Sequence, residues 1–322
     1  MMEQALRDFP RQLEFEPTIE NEGALRRAKR VIVCGMGGSN LATGLVAAAH
    51  PREDVRAHRD YGLPILPNGD LEASLVVANS HSGNTEETLD AFDRAEERGL
   101  ALAAMTTGGK LLERAEKNSI PLIRIPAGDL QPRSALGFHV RALLKLMGDE
   151  QGLAEIKKLA SGLDGDAAEK RGKVIAKKLT GSIPMIYASG RNKTLSHIWK
   201  VKINETAKSP AFCNVFPELN HNEMTGFDVG QAVKPVFGNF HFLFLRDLDD
   251  HPKIVKRMTE TATIFKKLGY GVDDVELEGS GPWEKIVRML LISDWATFYL
   301  ARAYGVDPEA VPLVEEFKKR MA

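Results

Sequence analysis

The chain has 322 residues, 43% of them hydrophobic and 27% charged, which are globular values and enough length for two ordinary domains. Its 43 Lys and Arg against 44 Asp and Glu leave a formal net charge of -1, which excludes a bulk attraction to nucleic acid and leaves anion binding to local placement of donors. No apolar run approaches the roughly 20 residues that would span a bilayer, so membrane insertion is not expected.

The opening segment MMEQALRDFPRQLEFEP carries acids and lacks an apolar centre, so no secretory signal peptide is expected. LATGLVAAAH, a little further on, is too short and too rich in Ala to cross a membrane. Cys34 and Cys213 lie in or beside apolar runs, which predicts two buried free thiols and a reducing, cytosolic setting. Two cysteines cannot build a metal site alone, and the 8 histidines include no HExxH pair, so no structural metal is expected.

In chain order, residues 30–34 (RVIVC) read as a short buried strand ending at Gly35, with a helix over 39–50. Residues 74–79 (SLVVAN) give a second strand, followed by the loop Ser80–Thr85 and a helix over 86–98. Residues 100–105 and 120–125 supply two more strands, with a helix over 110–118 between them. Short apolar strands alternating with helices specify βαβ units and a parallel sheet. The polar stretch 161–173 reads as a linker. After it come a helical lead-in at 174–179, a strand at 183–188, the turn Ser189–Gly190–Arg191 and a helix from about Lys193. A strand within 238–249, a helix over 252–268, a short strand at 275–277 and a long apolar helix over 283–304 follow. A Gly-Val-Asp-Pro break then precedes a last amphipathic helix ending in Phe317–Lys318–Lys319. The expected fold is therefore α/β, with two doubly wound parallel-sheet domains.

Two strand-to-helix turns can hold a ligand. GMGGSN, with Gly35, Gly37 and Gly38, resembles a dinucleotide turn but has Asn40 where the third glycine belongs. It reads either as a tight βα turn or as a place where the backbone approaches a ligand closely. SHSGNTEET places three hydroxyls, Ser80, Ser82 and Thr85, around Gly83 at a helix start. One Ser or Thr suffices to cap a helix. Three beside unpaired helix amides favour a phosphate or similar oxyanion, and the lack of a Lys favours a monoester over a triphosphate.

Two polar patches remain. Arg133 stands in the loop GDLQPRSALG ahead of an apolar helix, flanked by Pro132 and small residues. KINETAKSP at 202–210 and PELNHNE at 217–223 are dense in polar groups where a domain interior is expected. Spacing alone leaves Glu205 and Lys208 as a helical pair or a functional pair, and leaves His221 with Glu218 or Glu223 as a surface cluster or a catalytic one.

Taken together, GMGGS at 35–39, NSHSGNTEET at 79–88, PRSALG at 132–137, NETAKSP at 204–210 and ELNHNE at 218–223 resemble the bifunctional phosphoglucose/phosphomannose isomerases. That family belongs to the wider group of sugar isomerase (SIS) domains. The likeness runs from near residue 20 to the C-terminus; the hydroxyl loop alone resembles any SIS domain, and the other blocks are more specific. It implies two flavodoxin-like SIS domains, 1–160 with the phosphate loop and 161–322 with the catalytic Glu and His, and a C-terminal helix returning to the site. It also implies a homodimer, with His221 supplied across the interface, and a sugar 6-phosphate substrate exchanged between the glucose, mannose and fructose forms without a cofactor. By position, Ser39, Ser80, Ser82 and Thr85 match the phosphate-binding hydroxyls, and Gly37 and Gly38 offer backbone contacts. Arg133 matches the arginine near the sugar's C1 and C2 oxygens, Glu205 the base that moves the proton, and His221 the ring-opening histidine. Lys318, or Lys319 beside it, matches a lysine also tied to ring opening. His81 stands where the family commonly has an aromatic residue.

The residue types suit that chemistry. A histidine titrates near neutrality, as ring opening requires. A carboxylate can shuttle a proton between C1 and C2, and a fixed guanidinium can stabilise the growing enediolate charge. A non-catalytic sugar-phosphate sensor explains the hydroxyls but gives Arg133, Glu205 and His221 no work. An NAD(P)-dependent oxidoreductase would rest on the imperfect glycine turn, and an aminosugar-phosphate enzyme of the SIS type shares most of these motifs.

Overall fold

The computed structural model describes residues 2–67, 69–229 and 233–321. The chain divides into two compact units, Arg7–Leu163 and Asp164–Ala322, the second joined by Met1–Leu6.

The N-terminal unit contains α2 (Phe9–Glu14), β1 (Arg30–Cys34), α3 (Gly37–Ala49), β2 (Asp54–His58), β3 (Ser74–Ser80), α4 (Glu86–Glu97), β4 (Ala101–Thr106), α5 (Gly109–Lys117), β5 (Leu122–Arg124), α6 (Leu136–Met147) and α7 (Glu150–Leu159); the short α1 (Met2–Arg7) precedes it. Its five strands run in the order β2-β1-β3-β4-β5, and all four pairings are parallel. Because β1, β3 and β4 are buried on both faces, they are nearly continuous apolar runs, and side chains still alternate between the two layers. Ile32, Cys34, Val76, Ala78, Leu102 and Ala104 point toward Leu89 and Phe92 of α4 and Leu111 and Ala115 of α5. The opposite face of the sheet is covered by α3 and α6.

The C-terminal unit contains α8 (Gly165–Leu179), β6 (Ile183–Ser189), α9 (Lys193–Ala207), β7 (Phe212–Phe216), α10 (Lys234–Phe237), β8 (Phe240–Arg246), α11 (Pro252–Lys267), β9 (Gly271–Glu276), α12 (Pro282–Tyr304) and α13 (Pro312–Met321). Its sheet has the order β7-β6-β8-β9 and is again wholly parallel. One face carries an aromatic core in which Phe242 meets Phe265 at 4.3 Å and Phe227 at 4.8 Å between ring centroids. The other side is built from α8, α9 and α12. Two doubly wound parallel-sheet units are thus present, as the alternation of strands and helices predicts.

Three local readings change. The stretch 161–173 is not a free linker: from Gly165 it is the first half of α8. Gly172 sits there because a Cβ would fall 2.5 Å from Trp295 Cβ on α12, so the glycine marks a close helix crossing. Strands β2 and β7 carry no strong sequence signal, since both are edge strands with a single neighbour and only partial burial. Cys34 is buried, and desolvation pushes its thiol up to about 12, whereas Cys213 is only half-buried. No helix of the described residues is long and apolar enough to cross a membrane.

The polar patch at 202 also has a structural explanation. Lys202 Nζ lies 2.8 Å from Asp294 Oδ2 and donates to Leu290 O and Ser293 Oγ, all in the buried seam between α9 and α12. An ion pair removed from water in this way holds two elements in register, and breaking one side strands the other charge. Lys202→Ala should therefore lower stability by about 3–5 kcal/mol. The double variant Lys202→Met with Asp294→Leu should recover most of that loss; urea unfolding of both variants checks this, and equal losses in the two would contradict it.

Candidate functional site

In the N-terminal sheet the strand order reverses direction between β1 and β3, and the helices that follow these strands leave toward opposite faces. Ligands of open α/β sheets bind at this crevice, beyond the carboxyl ends of the strands. Two helices of ordinary length start there, α3 after β1 and α4 after β3. Neither receives a side-chain cap: Met36 cannot supply one, and the Thr85 hydroxyl does not bond its own first-turn amides. Amides and positive helix ends therefore face the mouth of the sheet.

The Thr85 hydroxyl is directed elsewhere. Its Oγ1 lies 2.8 Å from Ser80 Oγ. The His81 amide donates to Ser39 Oγ at 2.9 Å, which ties the first turn of α3 to the loop after β3. Ser82 is exposed, and its Oγ accepts from the Asn84 amide at 3.3 Å. The N-terminal unit thus brings Ser39, Ser80, Ser82 and Thr85 into one loop system.

That loop is held by contacts no side chain larger than hydrogen would allow. Gly83 has φ +70, and a Cβ on it would sit 1.7 Å from Gly108 O. Its carbonyl accepts from the Leu111 amide, and Asn84 Oδ1 accepts from the Lys110 amide. Thr107 donates to His81 O through both its amide and its hydroxyl. The 80–85 loop is therefore shaped by the neighbouring 106–110 turn rather than by its own sequence alone.

The GMGGSN turn gains a different meaning from the one its glycines suggest. Asn40 is buried, and its amide donates to Gly35 O at 2.7 Å and to His58 O at 3.2 Å, closing the turn where a dinucleotide fingerprint would have glycine. Asn79 donates to Ser39 O at 2.6 Å from the end of β3. Gly37 has φ +50 with open space where a Cβ would be. At Gly38 a Cβ would meet Pro132 Cβ at 2.7 Å and the Arg133 amide at 2.8 Å. The segment carrying Arg133 is thus pressed against the first turn of α3, and Arg133 is 1% exposed.

The matching position of the C-terminal unit is chemically unlike this one. At the ends of β6 and β8, the buried Asp247 accepts from Lys285 Nζ at 2.6 Å, from Asn192 Nδ2 at 3.1 Å and from Arg191. Despite its burial, the cationic partners hold the Asp247 carboxyl down at about 2. Lys285 also pairs with Asp249. There the cations gather on Asp247 and Asp249, whereas the N-terminal mouth presents hydroxyls and helix amides.

The remaining candidates all lie in the C-terminal unit. Glu205 is half-buried near the end of α9, one turn beyond the buried Lys202. Lys208 adopts the left-handed conformation at the helix end, and its ammonium donates to Glu205 O at 2.9 Å, capping α9 through the main chain. Asn204 Oδ1 accepts from the Ala211 amide, turning the chain into β7. The ELNHNE residues are largely occupied in fixing their own segment. Asn220 donates to Thr261 Oγ1, Asn222 donates to Glu218, and Glu223 accepts from Tyr187 and Asn214. Leu219 and Phe227 anchor the segment in the aromatic core. His221 is left exposed between them, with no hydrogen-bond partner among the described residues. Lys318 lies on α13, every residue of which is exposed, and pairs with Glu315 at 2.8 Å.

Sequence reasoning misses two residues of the N-terminal site. His81 and His139 are buried, with His81 Nδ1 3.1 Å from His139 Nε2 and His81 Nε2 2.9 Å from Leu130 O. Burial pushes both rings below the ordinary histidine range, and His139, which also feels His81, falls to about 3. His139 gives no signal of its own, since it interrupts an apolar helix run like any buried polar residue. Among the described residues no group of three or more His, Cys, Asp or Glu is placed to hold a metal ion.

Comparison with known proteins agrees with this architecture. Residues 168–321 match the bacterial phospho-glucose isomerase C-terminal SIS domain. The chain is 36% identical over 311 residues to a bifunctional phosphoglucose/phosphomannose isomerase of Caldicellulosiruptor bescii, covering 91% of this chain and 89% of the other. It is 31% identical over 304 residues to a D-glucosamine-6-phosphate 4-epimerase of Sulfolobus acidocaldarius, covering 92% and 90%. Among solved structures, the tagatose-6-phosphate ketose/aldose isomerase of Escherichia coli superposes with a TM-score of 0.67 at 16% identity, covering 96% of this chain and 94% of that one.

Two tests follow from the geometry. Gly83→Ala should weaken binding of inorganic phosphate at least about tenfold in calorimetry, because the added carbon displaces the Gly108 carbonyl and a left-handed backbone is strained in any L residue; unchanged affinity would contradict an anion site at the 80–85 loop. The second test concerns acid stability. Below the ordinary histidine pKa of 6.5 the unfolded chain binds a proton that His139 refuses until about 3, so folding stability is complete above that range and declines as pH falls through it. In His139→Leu the melting temperature should fall less steeply between those limits, and an identical slope would contradict the assignment.

Proposed function

Because the chain belongs to the SIS-domain family of sugar-phosphate isomerases and epimerases, we propose that it is an intramolecular aldose–ketose isomerase acting on glucose 6-phosphate, mannose 6-phosphate and fructose 6-phosphate. The observation that carries this reading is the N-terminal mouth. There a hydroxyl-lined loop, two uncapped helix starts and the Arg133 segment packed on Gly38 converge at one switch point.

In this reading Ser39, Ser80, Ser82 and Thr85, with the amides of Gly37 and Gly38, hold the phosphate monoester. A dianion far from the reacting carbons supplies binding energy that orients them. His221 opens the sugar ring by exchanging a proton with the ring oxygen. Glu205 then removes the proton from C2 of the aldose and delivers a proton to C1, its carboxyl hydrogen exchanging with solvent in the interval. Arg133 faces the two oxygens of the cis-enediolate, where negative charge develops in the transition state. Since C2 is planar in that intermediate, its configuration is lost, and one base serves both the glucose and the mannose phosphate. The balance needs only proton transfers, so neither a redox cofactor nor a metal is required by the chemistry.

The exposure of His221 supports a homodimer in which it serves the site of the partner copy. Lys318, or Lys319 beside it, has a comparable role in ring opening. The outward apolar residues of α13, with Leu313 79% and Phe317 61% exposed, support a return of that helix to a site in the dimer. The resemblance to an aminosugar-phosphate epimerase supports a second reading, in which glucosamine 6-phosphate is the substrate.

A coupled assay in the presence of EDTA, following fructose 6-phosphate from each hexose phosphate, tests the proposal. Glu205→Gln should lower kcat by about 10²–10⁴-fold with little change in substrate affinity. Near-normal turnover in that variant would remove Glu205 from the reaction. Conversion of glucosamine 6-phosphate without conversion of glucose 6-phosphate would favour the second reading. His221→Ala should impair the cyclic substrate far more than an open-chain analogue, and equal losses would count against ring opening.

A further inference from the structure

We infer that His81 is a positioning residue, which holds the Arg133 segment over the anion loop through a hydrogen-bonded chain that ends at His139. The inference deepens the isomerase reading and rests on it in one respect, the action of Arg133 at the reacting carbons.

The main chain and side chain of His81 do separate jobs. Its amide donates to Ser39 Oγ and its carbonyl receives both donors of Thr107, so the backbone belongs to the anion loop. Its ring leaves that loop and reaches Leu130 O at 2.9 Å, three residues before Arg133. The far side of the Arg133 turn is held by Gln12, which donates to Ser134 O at 2.7 Å and accepts from the Gly137 amide at 3.0 Å. Arg133 thus stands between two clamps, His81 on the incoming chain and Gln12 on the outgoing chain. Between them Pro132 and Arg133 rest on the bare face of Gly38. Release of the His81 clamp would remove the hold on the incoming side of the guanidinium's segment.

The proton positions along this chain follow from its ends. A carbonyl oxygen only accepts, so His81 Nε2 carries the hydrogen. The neutral ring then has a bare Nδ1, which accepts from His139 Nε2–H across 3.1 Å. His139 Nδ1 is consequently bare, and it is buried with no hydrogen-bond partner. The reverse pair of tautomers would set a lone pair against the Leu130 carbonyl. A charged ring at either position would place two N–H groups face to face or bury an unpaired donor. One arrangement of protons makes both hydrogen bonds of the His81 ring, and it fixes the plane of that ring and hence the place of Leu130. A phenyl ring at position 81 would fill the same space and hold neither partner.

The test separates positioning from binding and from folding. His81→Phe should lower kcat on glucose 6-phosphate by about 10- to 100-fold while KM stays within about threefold, because the amide of residue 81 and the hydroxyls of the anion loop remain. His81→Gln, whose side-chain amide can reach the Nε2 position, should recover most of the loss. Hydrogen exchange at the amides of residues 127–134 should quicken in His81→Phe and return toward the parent rate in His81→Gln. In the parent, 15N spectra of the imidazoles at pH 7 should show both rings neutral with the hydrogen on Nε2. Unchanged kcat and exchange in His81→Phe, or the hydrogen on Nδ1 of His81, would overturn the inference. If the parent protein itself fails to isomerise, the assigned reaction falls, and the tautomer and exchange readouts still decide the role of His81.

Discussion

The first turn of α3 approaches Pro132 and Arg133 so closely that residue 38 has no room for a Cβ. A second contact of this kind joins Gly83 to the Gly108 carbonyl. Together they bring four loops, after β1, after β3, after β4 and before α6, to the mouth of one parallel sheet. Glycine is required at these points for proximity, and the hydrogen bonds of Ser39, Thr107 and His81 then fix what proximity allows. The rest of the proposed site depends on this packing. Hydroxyls from two helix starts share one loop system only because the loops touch, and Arg133 is held beside them only because nothing stands between it and Gly38.

The two units use one architecture with opposite electrostatics at their strand ends. In the N-terminal unit the uncapped starts of α3 and α4 and the serine and threonine hydroxyls form a neutral, donor-rich mouth. Such a mouth gains stabilisation from an anion. In the C-terminal unit Asp247 is enclosed by Arg191, Asn192 and Lys285, and its low pKa reports how fully the cations answer it. A phosphate would find that position already neutralised. The C-terminal unit carries Glu205 on a helix pinned by the buried Lys202–Asp294 pair, and His221 on a segment pinned by Leu219, Phe227 and the Glu223 contacts. Both sit on rigid supports and keep at least partial exposure, as the proton transfers proposed for them would need.

Much of the fold is legible in the chain because central parallel strands must be apolar on both faces. RVIVC and SLVVAN announce β1 and β3 for that reason. The edge strands β2 and β7 are half-exposed, so DVRAH and FCNVF carry weaker patterns. Gly165 and Gly172 imitate a linker, yet the second is a crossing point of α8 and α12. The hydroxyl loop is legible as chemistry, since three hydroxyls exceed what a helix cap needs. Glu205 is not: its neighbours Asn204 and Lys208 are occupied in ending α9, and local spacing cannot distinguish it from them. The His81–His139 chain is invisible in sequence because its partners are 58 residues apart and meet only through the tertiary fold.

At the centre of the proposed reaction, one base carries hydrogen between neighbouring carbons of a phosphate-anchored sugar. Proton NMR of glucose 6-phosphate incubated with the protein in D2O tests it most directly. Fructose 6-phosphate should carry solvent deuterium at C1, with deuterium at C2 of the glucose and mannose phosphates as equilibrium is reached. No deuterium at either carbon after many turnovers at equilibrium would contradict a base whose proton exchanges with solvent at the enediolate, and absence of any conversion would contradict the assigned reaction.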